Sequence, residues 1–197
     1  MHAPYYTPAG TPMIGELAGY EAHLNRINNQ VDVLTAGLTD AQINWRPAPH
    51  RWSIGENLDH LTAFNQQCMP AIDDAIGYGR SRSLYAEGPF RYGVVDRLVS
   101  WAMEPPVRVR LRTAASLTPT ERRPAAASLK AFLATQDEIR ARIQQANGLD
   151  LATIKVRSPF IRQLALSLGA AFGVLLAHER RHVWQAQRVR ATPGFPG

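Results

Sequence analysis

The chain is poor in cysteine, in lysine and in long apolar runs, and each scarcity excludes a class of protein. With Cys68 as its one cysteine, it can form neither an internal disulfide framework nor a zinc site built from CxxC pairs. Residues 1–6 lack the basic and apolar regions of a secretory signal. The most apolar stretch, Leu164 to Ala177, falls short of the roughly 20 residues that a membrane-spanning helix needs. We therefore expect a cytoplasmic protein with no membrane partner.

The positive charge is almost entirely arginine, with only Lys130 and Lys155 as lysines. The net charge of +6 would suit nucleic-acid binding if the cations were clustered. Instead, the arginines are scattered among 16 acidic residues, which argues against a nucleic-acid partner. The length of 197 residues fits one domain with enough core to fold without a metal. Any metal site would therefore be functional.

Apolar residues recur at spacings of three and four in four long segments, which predicts four amphipathic helices. The predicted bounds are Thr11-Pro12 to Gly37, Ser53-Ile54-Gly55-Glu56 to Gly77 and Gly79, Pro124 to Asn147-Gly148, and Ser158-Pro159 to about Ala191. Thr39-Asp40-Ala41-Gln42 has capping-box spacing and predicts one extra turn. With almost no strand pattern, the chain is predicted to be all-α, a four-helix bundle forming one domain over 1–197 with its core at about 13–192.

Residues 80–123 form a long connection between the second and third helices. Tyr92 to Met103 has the spacing of a short amphipathic helix and is followed by Glu104-Pro105-Pro106. Val107 to Arg112 alternates apolar residues with arginines, which predicts an extended segment. Its arginines would face solvent or, alternatively, hold an anionic ligand.

Two histidines continue the apolar stripe of the fourth helix. The stripe is Ile161, Leu164, Leu168, Ala171 and Leu175, and the same spacing then reaches His178 and His182. An unpartnered buried polar group costs about 1 to 3 kcal/mol, so this pair needs something to bind. Cβ atoms four residues apart on a helix are about 5 to 6 Å apart, and both rings can therefore reach one cation. The alternative is a hydrogen-bonded polar core.

The segment His178-Glu179-Arg180-Arg181-His182 also matches the HExxH pattern of zinc peptidases, in which the glutamate is the general base. Those enzymes usually take a third ligand from downstream of the motif. Here no histidine, aspartate or glutamate follows His182. This absence argues against a peptidase and places any third protein ligand upstream.

The upstream candidates are His2, His23, His50 and His60. His60 lies about 10 Å along the second helix, and His182 lies about 14 Å from the end of the fourth. The two meet at one level only if these helices are antiparallel. The long connection permits this arrangement in an up-down-down-up bundle. His60 is off the centre of its stripe and could instead be a boundary residue, with His23 as a substitute ligand.

Two segments together resemble the DinB-like (DinB/YfiT) superfamily of metalloenzymes. They are Trp52-Ser53-Ile54-Gly55-Glu56-Asn57-Leu58-Asp59-His60-Leu61 and Ala177-His178-Glu179-Arg180-Arg181-His182-Val183-Trp184-Gln185. The resemblance runs from about residue 13 to 192. It implies a left-handed up-down-down-up bundle with a metal site at His60, His178 and His182. Characterised members include thiol-dependent S-transferases and a mycothiol-dependent isomerase.

The sequence thus favours a metal-dependent enzyme acting on a small molecule, either a thiol-dependent S-transferase or a hydrolase. Zinc or nickel is the expected metal, and a low-molecular-weight thiol is a candidate second cofactor. Glu179 and Arg181 are the candidate catalytic residues, with Asp59 as another nearby acid, and Trp184 could line the pocket. The first alternative is a catalytically silent helical binding module, and the second, less favoured, is an HExxH peptidase. A homodimer is left open.

Overall fold

The computed structural model describes residues 12–107, 109, 113–119 and 123–197. These residues are mostly helical, as predicted. The helices are α1 (Gly15–Thr35), α2 (Asp40–Ile43), α3 (Ile54–Ser81), α4 (Val94–Met103), α5 (Ala125–Gln145) and α6 (Leu168–Arg190). A 3₁₀ turn spans Ala115–Leu117, and a short antiparallel hairpin pairs β1 (Lys155–Arg157) with β2 (Ala165–Ser167).

Both predicted capping boxes begin helices. At the start of α3, the Glu56 amide donates to Ser53 Oγ at 3.1 Å, and the Ser53 amide donates to Glu56 Oε2 at 2.8 Å. Thr39 and Gln42 form the equivalent pair at α2, the predicted extra turn. These reciprocal bonds satisfy amides that the first turn of a helix leaves unpaired. The box at α3 fixes where the helix begins and therefore which side chains it turns toward α6.

Side-chain contacts define the relative directions of the long helices. Asn65 of α3 lies beside Thr135 of α5, and Asp73 pairs with Arg142, so these two helices run in the same direction. In contrast, α3 and α6 run in opposite directions, because Asn57 contacts His182 whereas Phe64, further along α3, stacks on His178. Further pairs make α1 parallel to α6, namely Tyr20 with Gly169 and Val33 with Arg190. An up-down-down-up order would produce these contacts.

The main core lies where the inner faces of α1, α3, α5 and α6 meet. Its fully buried members include Leu24, Leu61, Phe132, Ile139 and Phe172. A separate apolar cluster, Leu166, Ala170 and Val174, holds α4 against β2 and the first turns of α6. The connection between α3 and α5 is thereby packed against the side of the bundle that carries the site described below.

The predicted start of the fourth long helix is wrong, because α6 begins at Leu168 rather than at Ser158-Pro159. The preceding residues form the hairpin, in which Val156 pairs with Leu166. Ser158 Oγ accepts from the amides of Phe160 and Ile161 at 3.2 and 3.1 Å. A serine turn therefore stands where the helix cap was predicted. Ile161, assigned to the helical stripe, is instead 53% exposed on the hairpin loop.

The remaining differences are at element ends. α1 begins at Gly15, so Pro12 is not its first residue, and the predicted cap Thr11 lies outside the described residues. α3 continues to Ser81, past the predicted end at Gly77 and Gly79. The short helix predicted from Tyr92 is present as α4. Of the predicted extended segment, residues 107–112, only Val107 and Val109 are described, and neither lies in a strand.

Candidate metal centre

Three histidines from two helices meet beside one cleft. His60 lies in the second turn of α3, while His178 and His182 lie one turn apart on α6. One ring nitrogen of each lies within 4.8 Å of the corresponding nitrogens of the other two. All three residues are buried, with exposures of 3%, 7% and 7%. The structure thus brings together the three residues that the sequence proposed as ligands.

Hydrogen bonds at Nδ1 orient two of the rings. His60 Nδ1–H donates to the Leu117 carbonyl oxygen at 2.8 Å, and His182 Nδ1–H donates to Asn57 Oδ1 at 3.1 Å. With the proton on Nδ1, the lone pair of each ring is on Nε2. Such outer partners are typical of metal-binding histidines, because they select the tautomer and fix the plane of the ring.

Aromatic contacts hold the cluster from its sides. The Phe64 ring stacks on His178 with centroids 3.9 Å apart. Trp52 lies 4.8 Å from the His60 ring and 5.8 Å from the His182 ring. His178 Nδ1 is buried and has no hydrogen-bond partner among the described residues. Packing therefore holds the third imidazole without a hydrogen bond to Nδ1.

Burial keeps the cluster uncharged. Desolvation lowers the pKa of His60, although its bond to Leu117 acts in the opposite direction. The pKa values of His178 and His182 are lowered much further, by desolvation and then by the neighbouring histidines and Arg181. Burial penalises the charged form of an imidazole. The three rings are therefore neutral near pH 7, as metal coordination requires.

The donor set fits a divalent transition metal. His60 Nε2 and His178 Nε2 are 3.4 Å apart. Two nitrogens bound tetrahedrally to zinc at about 2.1 Å would be separated by about 3.4 Å. Three imidazoles form the protein part of catalytic sites that keep one position open for water or substrate, whereas structural zinc sites use four protein ligands. The residues present therefore fit an ion with an open coordination position.

The histidines face a large cleft of about 1350 Å³. Its walls come from α3, α6, α4 with the chain that follows it, and the β hairpin. Arg181, 7% exposed, ties these walls together by donating to the carbonyl oxygens of Ala102 at 3.1 Å and Val109 at 2.7 Å. Its catalytic role stays a prediction. In the structure, its guanidinium holds α4 and the chain that follows it against α6. Trp184 lines the cleft, as expected.

Glu179 faces the bundle core rather than the cleft. Its side chain is fully buried, and Oε1 accepts from Asn65 at 2.8 Å and Gln136 at 2.6 Å. Desolvation outweighs these bonds and raises its pKa to about 7. Glu179 is absent from the described residues that line the cleft. The glutamate of the HExxH pattern therefore links α3, α5 and α6 here.

The other candidates from the sequence lie away from the cluster. His23 Nδ1 is 2.8 Å from an Arg180 nitrogen on the α1 side of α6. His50 is exposed and lines the cleft, but it is not part of the histidine cluster. Asp59 pairs with Arg123 at 3.5 Å, and His2 lies outside the described residues.

Sequence reasoning missed the residues that orient the rings. Asn57 is one turn before His60 on the same face of α3, and this placement could have identified it as a partner. No local pattern links Leu117 to His60, because 57 residues separate them and the contact uses a backbone carbonyl.

The fold and the site thus define a helical protein with a three-histidine cluster that could hold a metal. A family model for the DinB superfamily matches residues 23–186, which include all three histidines. The chain belongs to this superfamily. No curated protein and no solved structure matches it. Across the described part of the chain, no helix has the length and apolar character needed to cross a membrane.

Proposed function

We propose that this protein is a metal-dependent enzyme acting on a small molecule. His60, His178 and His182 would hold one divalent ion, zinc or nickel. The observation that carries the proposal is the convergence of three neutral imidazoles on the wall of an open cleft of about 1350 Å³. A purely structural metal would have no need of such a cleft.

The bound ion would supply a Lewis acid that lowers the pKa of water or of a thiol near neutral pH. The chain's own residues would then hold and orient the reactants. Cys68 is two turns beyond His60 on α3, about 12 Å away along the helix axis. Burial raises the pKa of its thiol to about 12, so Cys68 stays protonated. The nucleophile would therefore come from outside the protein, as water or a low-molecular-weight thiol.

Between these nucleophiles, we place thiol transfer first and hydrolysis second. Membership of the DinB superfamily supports the thiol, because the characterised members of that superfamily include thiol-dependent transferases. The position of Glu179 does not support a peptidase of the HExxH type, because Glu179 is not among the described residues that line the cleft.

The test is a comparison of two assay panels with the metal-loaded protein prepared without an affinity tag. The first supplies glutathione, mycothiol or bacillithiol with a chlorinated nitrobenzene as the electrophile, and the second supplies esters and amides. Metal-dependent thiol conjugation that is lost in His178→Ala supports the transferase. Metal-dependent hydrolysis without thiol conjugation would instead show that the protein is a hydrolase. A protein that binds no metal and shows neither activity would favour a helical binding module.

A further inference from the structure

The cleft has two chemically different arms on opposite sides of the histidine cluster. Its wall on α6 runs from Ala171 to Val189, with His178 and His182 near the middle, and continues to Thr192 just after the helix ends. On the antiparallel α3, the wall runs from Asn57 past His60 to Ile72. The arm toward Ile72 and Ala171, called the apolar arm, extends about 18 Å beyond His60 along the axis of α3. The arm toward Thr192 is called the cationic arm.

The apolar arm is lined almost entirely by hydrocarbon side chains. The two helices contribute Phe64, Cys68, Ile72, Ala171, Val174 and Leu175. The hairpin and α4 close it with Val156, Leu166 and Val99, among others. Arg157 also lines the cleft here, but it is exposed, whereas its neighbour Val156 on β1 is buried. This arm therefore suits an apolar group and offers little to a polar one.

Several large apolar side chains at the cleft are exposed. Leu98 is 59% exposed, Trp101 51% and Ile161 53%, and all three line the cleft. Contiguous exposed apolar surface on a soluble protein marks a binding site more often than scattered single residues do. An apolar ligand in the cleft would cover these side chains.

The cationic arm carries Arg51 and Arg188, both exposed. Neither forms an ion pair with an acidic residue in the described part of the chain, and the Arg188 guanidinium lies 5.1 Å from the centre of the Trp184 ring. Of the described residues that line the whole cleft, none is aspartate or glutamate. Guanidinium groups bind carboxylates and phosphates through paired hydrogen bonds. This arm is therefore complementary to an anion.

We propose that the ligand of this cleft is an anionic amphiphile. Its apolar chain would fill the apolar arm, its anionic head would reach Arg51 and Arg188, and the linkage between them would lie beside the histidines. The inference deepens the proposed function by naming its substrate class. Arg188 lies six residues, or about 9 Å, beyond His182 along α6. A ligand with its head at this arginine and its chain filling the apolar arm would therefore span about 27 Å, or about twenty-two bonds at about 1.25 Å per bond.

The test measures binding of inert probes to the metal-free protein by calorimetry, below the micelle concentration of each probe. Straight-chain alkyl carboxylates from about six to about sixteen carbons are compared with alkyltrimethylammonium ions of matched length. We expect the carboxylate affinity to rise about threefold to fourfold per methylene once the chain passes the histidines, at about eight carbons, and to keep rising to the longest probe, because none of these chains reaches the end of the apolar arm. The ammonium series should bind more weakly at every length. Affinity that does not depend on chain length, or equal binding of the two series, would overturn the proposal.

Substitutions in each arm test where the two ends of the probe bind. Ala171→Trp, at a half-buried position at the far end of the apolar arm, should reduce the gain in affinity for the longest chains and leave the shorter probes unchanged. The double replacement Arg51→Gln and Arg188→Gln should weaken carboxylate binding about tenfold and strengthen ammonium binding, because it removes the charges that attract one head group and repel the other. Arg91→Gln, an exposed arginine away from the cleft, is the matched control. If the double variant behaves like Arg91→Gln, the head-group assignment is wrong. Because no metal is present, failure here is distinct from failure of the metal site, which metal content measures separately.

Discussion

Replacement of Asn57 by leucine should weaken metal binding without changing any of the three ligands. Asn57 Oδ1 accepts the Nδ1 proton of His182 at 3.1 Å, and Asn57 Nδ2 donates to the Ser53 carbonyl oxygen at 2.8 Å. Leucine has a similar size but can make neither bond. The buried His182 Nδ1–H then has no acceptor, and the ring loses the contact that presents Nε2.

The loss of such an orienting partner typically costs a factor of 10 to 100 in metal affinity, or about 1.4 to 2.7 kcal/mol. Loss of the hydrogen bond from Asn57 to Ser53 should lower the free energy of unfolding by about a further 1 kcal/mol. Asn57→Asp separates the two effects, because its carboxylate still accepts from His182 but cannot donate to Ser53. We therefore expect the aspartate variant to be less stable than the native protein, with near-native metal affinity.

The assay is titration of zinc into metal-free protein in competition with a chromogenic chelator. It is carried out well below the unfolding temperature, with helicity checked by circular dichroism. Native zinc affinity in Asn57→Leu would show that the hydrogen bond does not orient His182, and the account of the ring geometry would fail. Equal losses in the leucine and aspartate variants would assign the effect to Ser53 instead.

Three further predictions concern the frame of the site. Ser53→Ala should destabilise the protein by about 1 to 2 kcal/mol in urea unfolding, since it removes the cap of α3, and a change below about 0.3 kcal/mol would contradict this. Asp96→Ala should cost about 2 to 3 kcal/mol, because the carboxylate accepts from the Ser167 amide and hydroxyl at 3.1 and 3.0 Å. Asp74→Ala, at an exposed position, is its control, and equal stability of the two would refute the anchoring of α4. Cys68, with a thiol pKa near 12, should react with iodoacetamide at pH 8 about a thousandfold more slowly than an unperturbed cysteine. Its rate should rise with pH through pH 10, because the thiolate is the reactive form, and a plateau near pH 9 would contradict the assigned burial.

Local hydrogen-bond chemistry explains which helix starts the sequence could predict. At Ser53, the hydroxyl and the Glu56 side chain bond reciprocally, and the pattern appears directly in the residues. At Ser158, the hydroxyl accepts from two following amides in much the same way, but the chain turns into a hairpin loop. The side-chain bonds of a cap and of a serine turn are nearly alike. The choice between them rests on the pairing of β1 with β2 and on the packing of β2 against α4, neither of which is local.

The same distinction holds at the site. His178 and His182 could be found from helical spacing, and His60 from its level on an antiparallel helix. The acceptor for His60 could not, because it is a carbonyl in the long connection between α3 and α5. The sequence also did not indicate that the Glu179 side chain points into the bundle core. Its position beside His178 suggested chemistry at the ion, whereas Asn65 and Gln136 supply buried donors that hold it in the core.

Metal content tests the central claim most directly. The native protein and the His178→Ala/His182→Ala variant are purified without an affinity tag, loaded with zinc or nickel, and desalted. Their metal content is then measured by inductively coupled plasma mass spectrometry. We predict about one ion per native chain and none in the double variant, with helicity retained in both because the apolar core does not depend on the ion. A native chain that retains no metal, or a double variant that retains as much, would contradict the assignment of His60, His178 and His182 as a metal site.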